Sequence, residues 1–179
     1  AEEIGPRIAE VPKNDNRKRM VCPECGYILY DNPKIVAGAV VVWQGRYLLC
    51  KRAIPPRKGY WTIPAGYLEL NETVVEGAKR EVMEEAGADI NINGLLAIYN
   101  IPRISQVQMI YQAELRNGKF SSGIESLEVS LFDWEHIPWQ DLAFPSVHWA
   151  LKHDHKSRGR KLGQPWNNPE KELGDFEAC

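Results

Sequence analysis

The stretch Gly66-Tyr-Leu-Glu-Leu-Asn-Glu-Thr-Val-Val-Glu-Gly-Ala-Lys-Arg-Glu-Val-Met-Glu-Glu-Ala-Gly-Ala88 contains a helix with both ends marked. Thr73 and Glu76 stand three residues apart, the spacing at which a hydroxyl and a carboxylate satisfy exposed amides of a first helical turn. Gly87 supplies a left-handed stop after Ala86, so the spacing predicts a helix of about three and a half turns. Val74, Val75, Ala78, Val82 and Ala86 form an apolar stripe for packing on a sheet. Glu81, Glu84 and Glu85, at i, i+3 and i+4, are expected to converge along the edge of that stripe. Gly77, one turn before Glu81, leaves the surface there open.

Clustered carboxylates repel, at roughly a few tenths of a kcal/mol per pair on a bare helix. A divalent cation removes the conflict. Oxygen ligands suit Mg²⁺ or Mn²⁺, and Mg²⁺ characteristically shares its remaining positions with water and phosphate oxygens. Arg80, four residues from both Glu76 and Glu84, can brace the carboxylates with its planar guanidinium. Most glutamate clusters on helices are only solvated acidic faces. The wider pattern argues otherwise: Gly66, Glu72, Arg80, Glu81, Glu84, Glu85 and Gly87 fit G-x5-E-x7-R-E-U-x-E-E-x-G-U, with Val82 and Ala88 at the apolar U positions. At average residue usage such a match arises by chance with odds on the order of 10⁻⁶.

Around this segment, β-branched runs predict strands near 35–43, 46–52, 89–101, 105–115 and 127–134, with a hairpin at Gln44-Gly45 and a second helix from Pro145 through His153. Strands mixed with helices make an α/β or α+β domain. The expected organisation is an N-terminal arm with a cysteine knuckle over 1–33, a catalytic domain over 34–155 and a polar, peripheral tail over 156–179; residues 1–20 show no periodicity and read as irregular. A net charge of −2 gives no argument for a nucleic-acid scaffold or a membrane surface. The apolar stretch from Ile35 to Trp43 is far too short to span a bilayer as a helix. With no leader pattern and only one close pair among four cysteines, the expectation is a cytoplasmic protein with no membrane partner. The basic run Lys156-Ser-Arg-Gly-Arg-Lys161 lacks interleaved aromatics, so no specific nucleic-acid binding is expected.

Gly66 to Ala88 resembles the Nudix box with every fixed position present, and the likeness to Nudix hydrolases extends over roughly 34–155, including Gly59-Tyr-Trp-Thr-Ile-Pro-Ala-Gly66 ahead of the box. The resemblance implies an α/β/α sandwich with a mixed sheet, Glu81, Glu84 and Glu85 as Mg²⁺ or Mn²⁺ ligands, Arg80 orienting them and Glu72 fixing the loop around Gly66. It also implies a base or further ligand from a later glutamate, for which Glu125 and Glu128 are both candidates. Arg52, Trp61, Gly66, Tyr67 and Gln106 are the expected contacts to substrate; Trp61 reads equally as core and Gln106 as a solvated strand residue. The implied reaction is attack of water on a pyrophosphate linkage, splitting a nucleoside diphosphate derivative into two monophosphates. The alternatives are hydrolysis of a nucleoside triphosphate such as an oxidised dGTP, and a nucleotide sensor without catalysis. Homodimers are common in the family.

Cys22-Pro-Glu-Cys25-Gly presents two thiolates of the kind that bind zinc, half of a four-coordinate site. Cys50, in an apolar run, and Cys179, ending a polar tail, do not complete it. The segment leading to Tyr30-Asp-Asn-Pro33 resembles the second half of a zinc ribbon found before some Nudix domains, so zinc is expected if another C-x-x-C lies upstream. The S-Q-P-W-P-F-P signature of NADH-cleaving relatives is absent, with Ile104-Ser-Gln-Val in its neighbourhood. Leu49-Cys-Lys-Arg-Ala-Ile54 and Glu125-Ser-Leu-Glu-Val129 look more like the zinc-ribbon group that includes FAD and ADP-ribose pyrophosphatases.

Overall fold

The computed structural model describes residues 4–174; Cys179 and the end of the expected tail lie outside the described residues. The chain divides into two compact units, 1–33 and 34–179.

In the first unit, β1 (Ile8–Glu10), β2 (Arg19–Val21) and β3 (Ile28–Leu29) form an antiparallel sheet in that order. This corrects the expectation of an irregular arm over residues 1–20. Strands of three residues are too short to show alternation, and local turn chemistry aligns them instead. Asp15 accepts hydrogen bonds from the Asn16 and Arg17 amides and from Arg19 Nε, which folds the chain back before β2. The knuckle closes through the Gly26 amide donating to the Cys22 carbonyl at 2.9 Å, with Gly26 at φ 73°.

The second unit is built on β4 (Lys34–Trp43), β5 (Arg46–Arg52), β6 (Trp61–Thr62), β7 (Ala65–Tyr67), β8 (Ile90–Ile101), β9 (Gln106–Leu115) and β10 (Ser126–Phe132). The main path runs β10-β5-β4-β9-β8; β4 and β9 are parallel and the other pairs antiparallel, so the sheet is mixed. Gln44 and Gly45, both at positive φ, make the expected hairpin turn. Beyond that turn β4 and β5 separate. The pairing of β4 passes to β7 and that of β5 to β6, so the short segment 61–67 fills the opening between them. Gly38 permits this approach, since a Cβ there would collide with Ala65.

Helix α1 (Val74–Ala86) covers one face of the sheet and α2 (Pro145–Ser157) the other, giving the α/β/α sandwich. Ala78, Val82 and Ala86 pack with Ala37, Ala39, Val41, Leu48 and Cys50, while Val147, Ala150 and Leu151 pack with Val40, Leu49, Leu96 and Tyr99. Both faces of β4 are covered, which is why Val36 to Val42 reads as one unbroken apolar run.

The segment after α2 was expected to be peripheral, but it lies against β8. Trp166 donates its amide to Leu96 and accepts from Ile98, both at 2.9 Å, and its indole stacks on His153 at 4.5 Å. β8 is an edge strand with unpaired backbone groups, and this segment satisfies part of them. No described helix is long and apolar enough to cross a membrane.

Candidate active site

The first turn of α1 is fixed by reciprocal bonds: the Glu76 amide donates to Thr73 Oγ1 at 3.3 Å, and the Thr73 amide donates to Glu76 Oε2 at 2.7 Å. Gly87 ends the helix at φ 54°. Seven residues separate Ala78 from Glu85, two helical turns, so Glu85 falls inside the sheet-facing stripe. The structure therefore corrects the expected stripe. Glu81 and Glu85 are buried at 8% and 7% exposure, whereas Val75 turns outward at 36%.

Room for Glu81 comes from β7. Gly66 is paired with Ala37 on the α1 side, and a Cβ at Gly66 would run into the Glu81 carboxylate. Glu85 carries the sharper electrostatic signature: its Oε2 is buried with no hydrogen-bond partner. Burial, followed by the charge of Glu81, pushes Glu85 up to about 8, against the opposing pull of Arg52 and the Ala65 amide. Burial also raises Glu81, with Arg80 pulling the other way.

Arg80 organises the rim. Its Nε and Nη2 donate to the two oxygens of Glu72 at 3.0 and 2.7 Å, its Nη1 to Glu81 at 2.7 Å and Glu84 at 3.0 Å, and its Nη2 also to the Tyr67 carbonyl at 3.0 Å. Glu72 also accepts from the Glu69 amide at 2.7 Å. The Arg80 guanidinium and that amide hold Glu72 down at about 2. Glu72 thus clips the loop to the helix.

The three box carboxylates do not converge on one point. Glu84 is 58% exposed in its side chain and turned to Arg80. Among the described residues no three carboxylate, imidazole or thiolate groups stand as a ready metal cage. The donors nevertheless fit a hard divalent cation: two buried carboxylates act on one another through their charges, one has an unpartnered oxygen, and Glu84 shares Arg80 Nη1 with Glu81. A cation at Glu85 would relieve the like-charge and burial penalties together.

The two later glutamates separate cleanly. Ser121 and Gly123 donate amides to the Ala86 and Glu85 carbonyls at 2.8 and 3.1 Å, laying the loop before β10 on the end of α1. Glu125 follows in that loop, and its charge acts on both Glu81 and Glu85. Glu128 instead sits opposite Lys51, with Nζ to Oε2 at 4.0 Å. Its neighbour Val129 pairs with Cys50 on the α1 side, so strand alternation puts Glu128 on the face away from the box.

The expected substrate contacts fall into three places. Arg52 and Gly66 adjoin Glu85 and Glu81. Tyr67 and Gln106 meet on the other face, Gln106 Nε2 donating to the Tyr67 hydroxyl at 3.2 Å. Trp61, at 8% exposure, packs edge-on against Phe132 with centroids 4.9 Å apart, among the core residues. Beside them stand two residues not singled out from the sequence: Lys34, whose ammonium lies 4.9 Å from the Tyr67 ring centroid, and Gln108, which donates to Gln106 at 3.3 Å. Polar residues alternating on an otherwise apolar strand were the available signal for Gln108.

In the first unit the Cys22 thiol donates to Glu24 at 3.1 Å, and Cys25 is exposed. Among the described residues of this unit no histidine or further cysteine joins them, so the pair does not by itself complete a zinc site.

A family model described as NUDIX domain matches residues 32–161, and one described as Nudix N-terminal, a zinc ribbon, matches residues 5–31. An ADP-ribose pyrophosphatase of Methanocaldococcus jannaschii is 29% identical over 116 residues, covering 63% of this chain and 69% of that protein. An NAD-capped RNA hydrolase, NudC, of Stutzerimonas stutzeri is 31% identical over 121 residues, covering 67% of this chain but only 42% of that protein. Among solved structures, a NUDIX hydrolase from Nitrosomonas europaea superposes with a TM-score of 0.83 at 45% identity, covering 90% of this chain and 94% of that one.

Proposed function

The chain belongs to the Nudix hydrolase family, and from that premise we propose that it is a divalent-metal-dependent pyrophosphohydrolase splitting a nucleoside diphosphate derivative, such as ADP-ribose, FAD or a related dinucleotide, into two monophosphates. The observation that carries the reading is the buried, unpartnered Oε2 of Glu85 beside Glu81 and Arg52. An orphaned buried carboxylate oxygen is costly unless a cation completes it.

Glu81 and Glu85, joined by Glu84, would hold Mg²⁺ or Mn²⁺. When bound, such an ion neutralises charge on the diphosphate and lowers the pKa of a coordinated water. Arg52, whose charge already acts on Glu85, would receive the diphosphate oxygens. Arg80 keeps Glu81 in place through its bond at 2.7 Å while staying committed to Glu72. Glu125, on the loop docked to the end of α1, would take the proton from the attacking water. The diphosphate form of the substrate is supported by the likeness to the Methanocaldococcus ADP-ribose pyrophosphatase, which covers 63% of this chain.

Incubation with Mg²⁺ or Mn²⁺ and a panel of ADP-ribose, FAD, dinucleoside polyphosphates and dNTPs, followed by product chromatography, tests the proposal. AMP with ribose 5-phosphate or FMN, lost in Glu84→Gln and Glu85→Gln, supports it. A monophosphate with inorganic pyrophosphate would assign a triphosphate substrate instead. Binding without turnover of any compound would leave a sensor and overturn the catalytic reading.

A further inference from the structure

Helix α2 carries a face that the proposed reaction does not use. His148, Lys152 and Lys156 recur every four residues, and together with Arg57 and Tyr60 they line a cleft of about 610 Å³. That volume is in the range of small-ligand sites. Among the described residues the lining sets one carboxylate, Glu172, against the cations Arg57, Lys152 and Lys156, and Glu172 accepts the Trp149 indole N–H at 2.6 Å. In a chain of net charge −2 this is a local excess of positive charge inside a concave surface.

The cations are crowded. Burial and then Lys152 depress His148, and burial and then Lys156 depress His153, while Glu172 favours the charged form of His148. Aromatic faces stand among them: the Arg57 guanidinium lies 5.0 Å from the Tyr60 ring centroid, and Phe144 and Trp149 complete the wall. Solvated lysines on a helix would account for the stripe alone. They do not account for the Tyr60, Phe144 and Trp149 rings that line the same cleft. The cleft also reaches toward the box, because the Phe144 ring that lines it lies 5.2 Å from the Arg52 guanidinium, whose charge acts on Glu85.

We propose that this cleft binds a nucleoside monophosphate moiety, with the phosphate against Lys152 and Lys156 and the base against the Tyr60 and Phe144 rings. The choice of a nucleotide rests on the function proposed above. The moiety has two sources, the distal half of a dinucleotide substrate or a free nucleotide product.

The test is titration of AMP into the full chain with metal chelated, following the ring signals of His148 and His153 by NMR. Saturable shifts at both rings are expected, with affinity weakened about ten-fold or more by Lys152→Glu or Lys156→Glu, the loss of one close charge contact. Glu85→Gln should leave the affinity unchanged. Absence of saturable shifts, insensitivity to both lysine variants, or loss of binding in Glu85→Gln would each overturn the proposal. Turnover then identifies the source. If Lys152→Glu raises KM for a dinucleotide but not for ADP-ribose, with kcat kept, the moiety is the distal half of the substrate. If both KM values hold and AMP binding is weakened, it is a free nucleotide. A chain that bound AMP in this cleft yet hydrolysed nothing would retain the site and lose only the catalytic reading.

Discussion

At Glu85 the sign of the pH dependence follows from its surroundings. The native carboxyl titrates near 8 and the free one near 4.5, so in the metal-free protein the native state holds its proton more tightly between those values. Stability from this group is full below about 4.5 and is lost as pH rises through 8. Glu72 works in the opposite sense: its stabilisation is present above 4.5 and lost as pH falls toward 2. We expect Glu85→Gln to flatten the alkaline limb of a Tm-versus-pH curve in chelator, raising Tm at pH 8 by about 2–4 °C for each ~1 kcal/mol recovered. Divalent metal is expected to stabilise the wild type by about 2.7 kcal/mol at a hundred-fold excess over Kd, and the same variant should abolish the corresponding rise in Tm. A metal-induced shift that survived in Glu85→Gln would place the ion elsewhere. For proton transfer, Glu125→Gln should lower kcat roughly 10²- to 10⁴-fold, and Glu128→Gln should leave it nearly unchanged, since Glu128 faces Lys51 across the sheet. Equal losses in the two variants would contradict that assignment.

Among the elements, α1 is both a packing helix and the scaffold of the site, and two glycines set what docks on it. Gly66 lets β7 approach Glu81, and Gly123 lets the loop before β10 lie on the end of the helix, where a Cβ would strike the Glu84 carbonyl oxygen. Gly123→Ala is therefore expected to displace Glu125 and reduce kcat while leaving helix content by circular dichroism unaltered; undiminished kcat would show that the loop docking does not position Glu125. The capping box is separable from chemistry. Thr73→Ala should cost about 1 kcal/mol in urea denaturation and leave KM unchanged. α2 is anchored by Asp154, fully buried, which accepts from Arg158 Nε at 2.7 Å and Gln112 Nε2 at 2.9 Å.

For the whole molecule, the C-terminal segment completes the second unit at the edge strand β8. Trp166→Ala removes a stack on His153 and the indole bond to Ser157 at 2.8 Å. Because Trp166 is 40% exposed, the expected loss is about 1–2 kcal/mol, below the full cost of deleting a buried tryptophan. A chemical-denaturation midpoint identical to wild type would mean that the segment contributes nothing to the fold. The two units share one chain but have separate sheets.

The sequence by itself determined the limits of α1, the Gln44-Gly45 hairpin, the principal strands and the identity of the box, because caps, turns and period-2 or period-3.6 patterns are local and residue-specific; α2, expected to end at His153, runs on to Ser157. It also named Glu81, Glu84, Glu85, Arg80 and Glu72 as one group. Tertiary structure alone decided that Glu85 lies inside the packed stripe and Glu84 outside it, because that depends on which way α1 is rotated over β4 and β5. It separated Glu125 from Glu128 through strand register, placed Trp61 among the core residues and brought Trp166 back to β8. It also supplied the strands of the first unit, too short for any periodicity. Each of these depends on contacts between residues far apart in the chain, and local patterns carry no record of them.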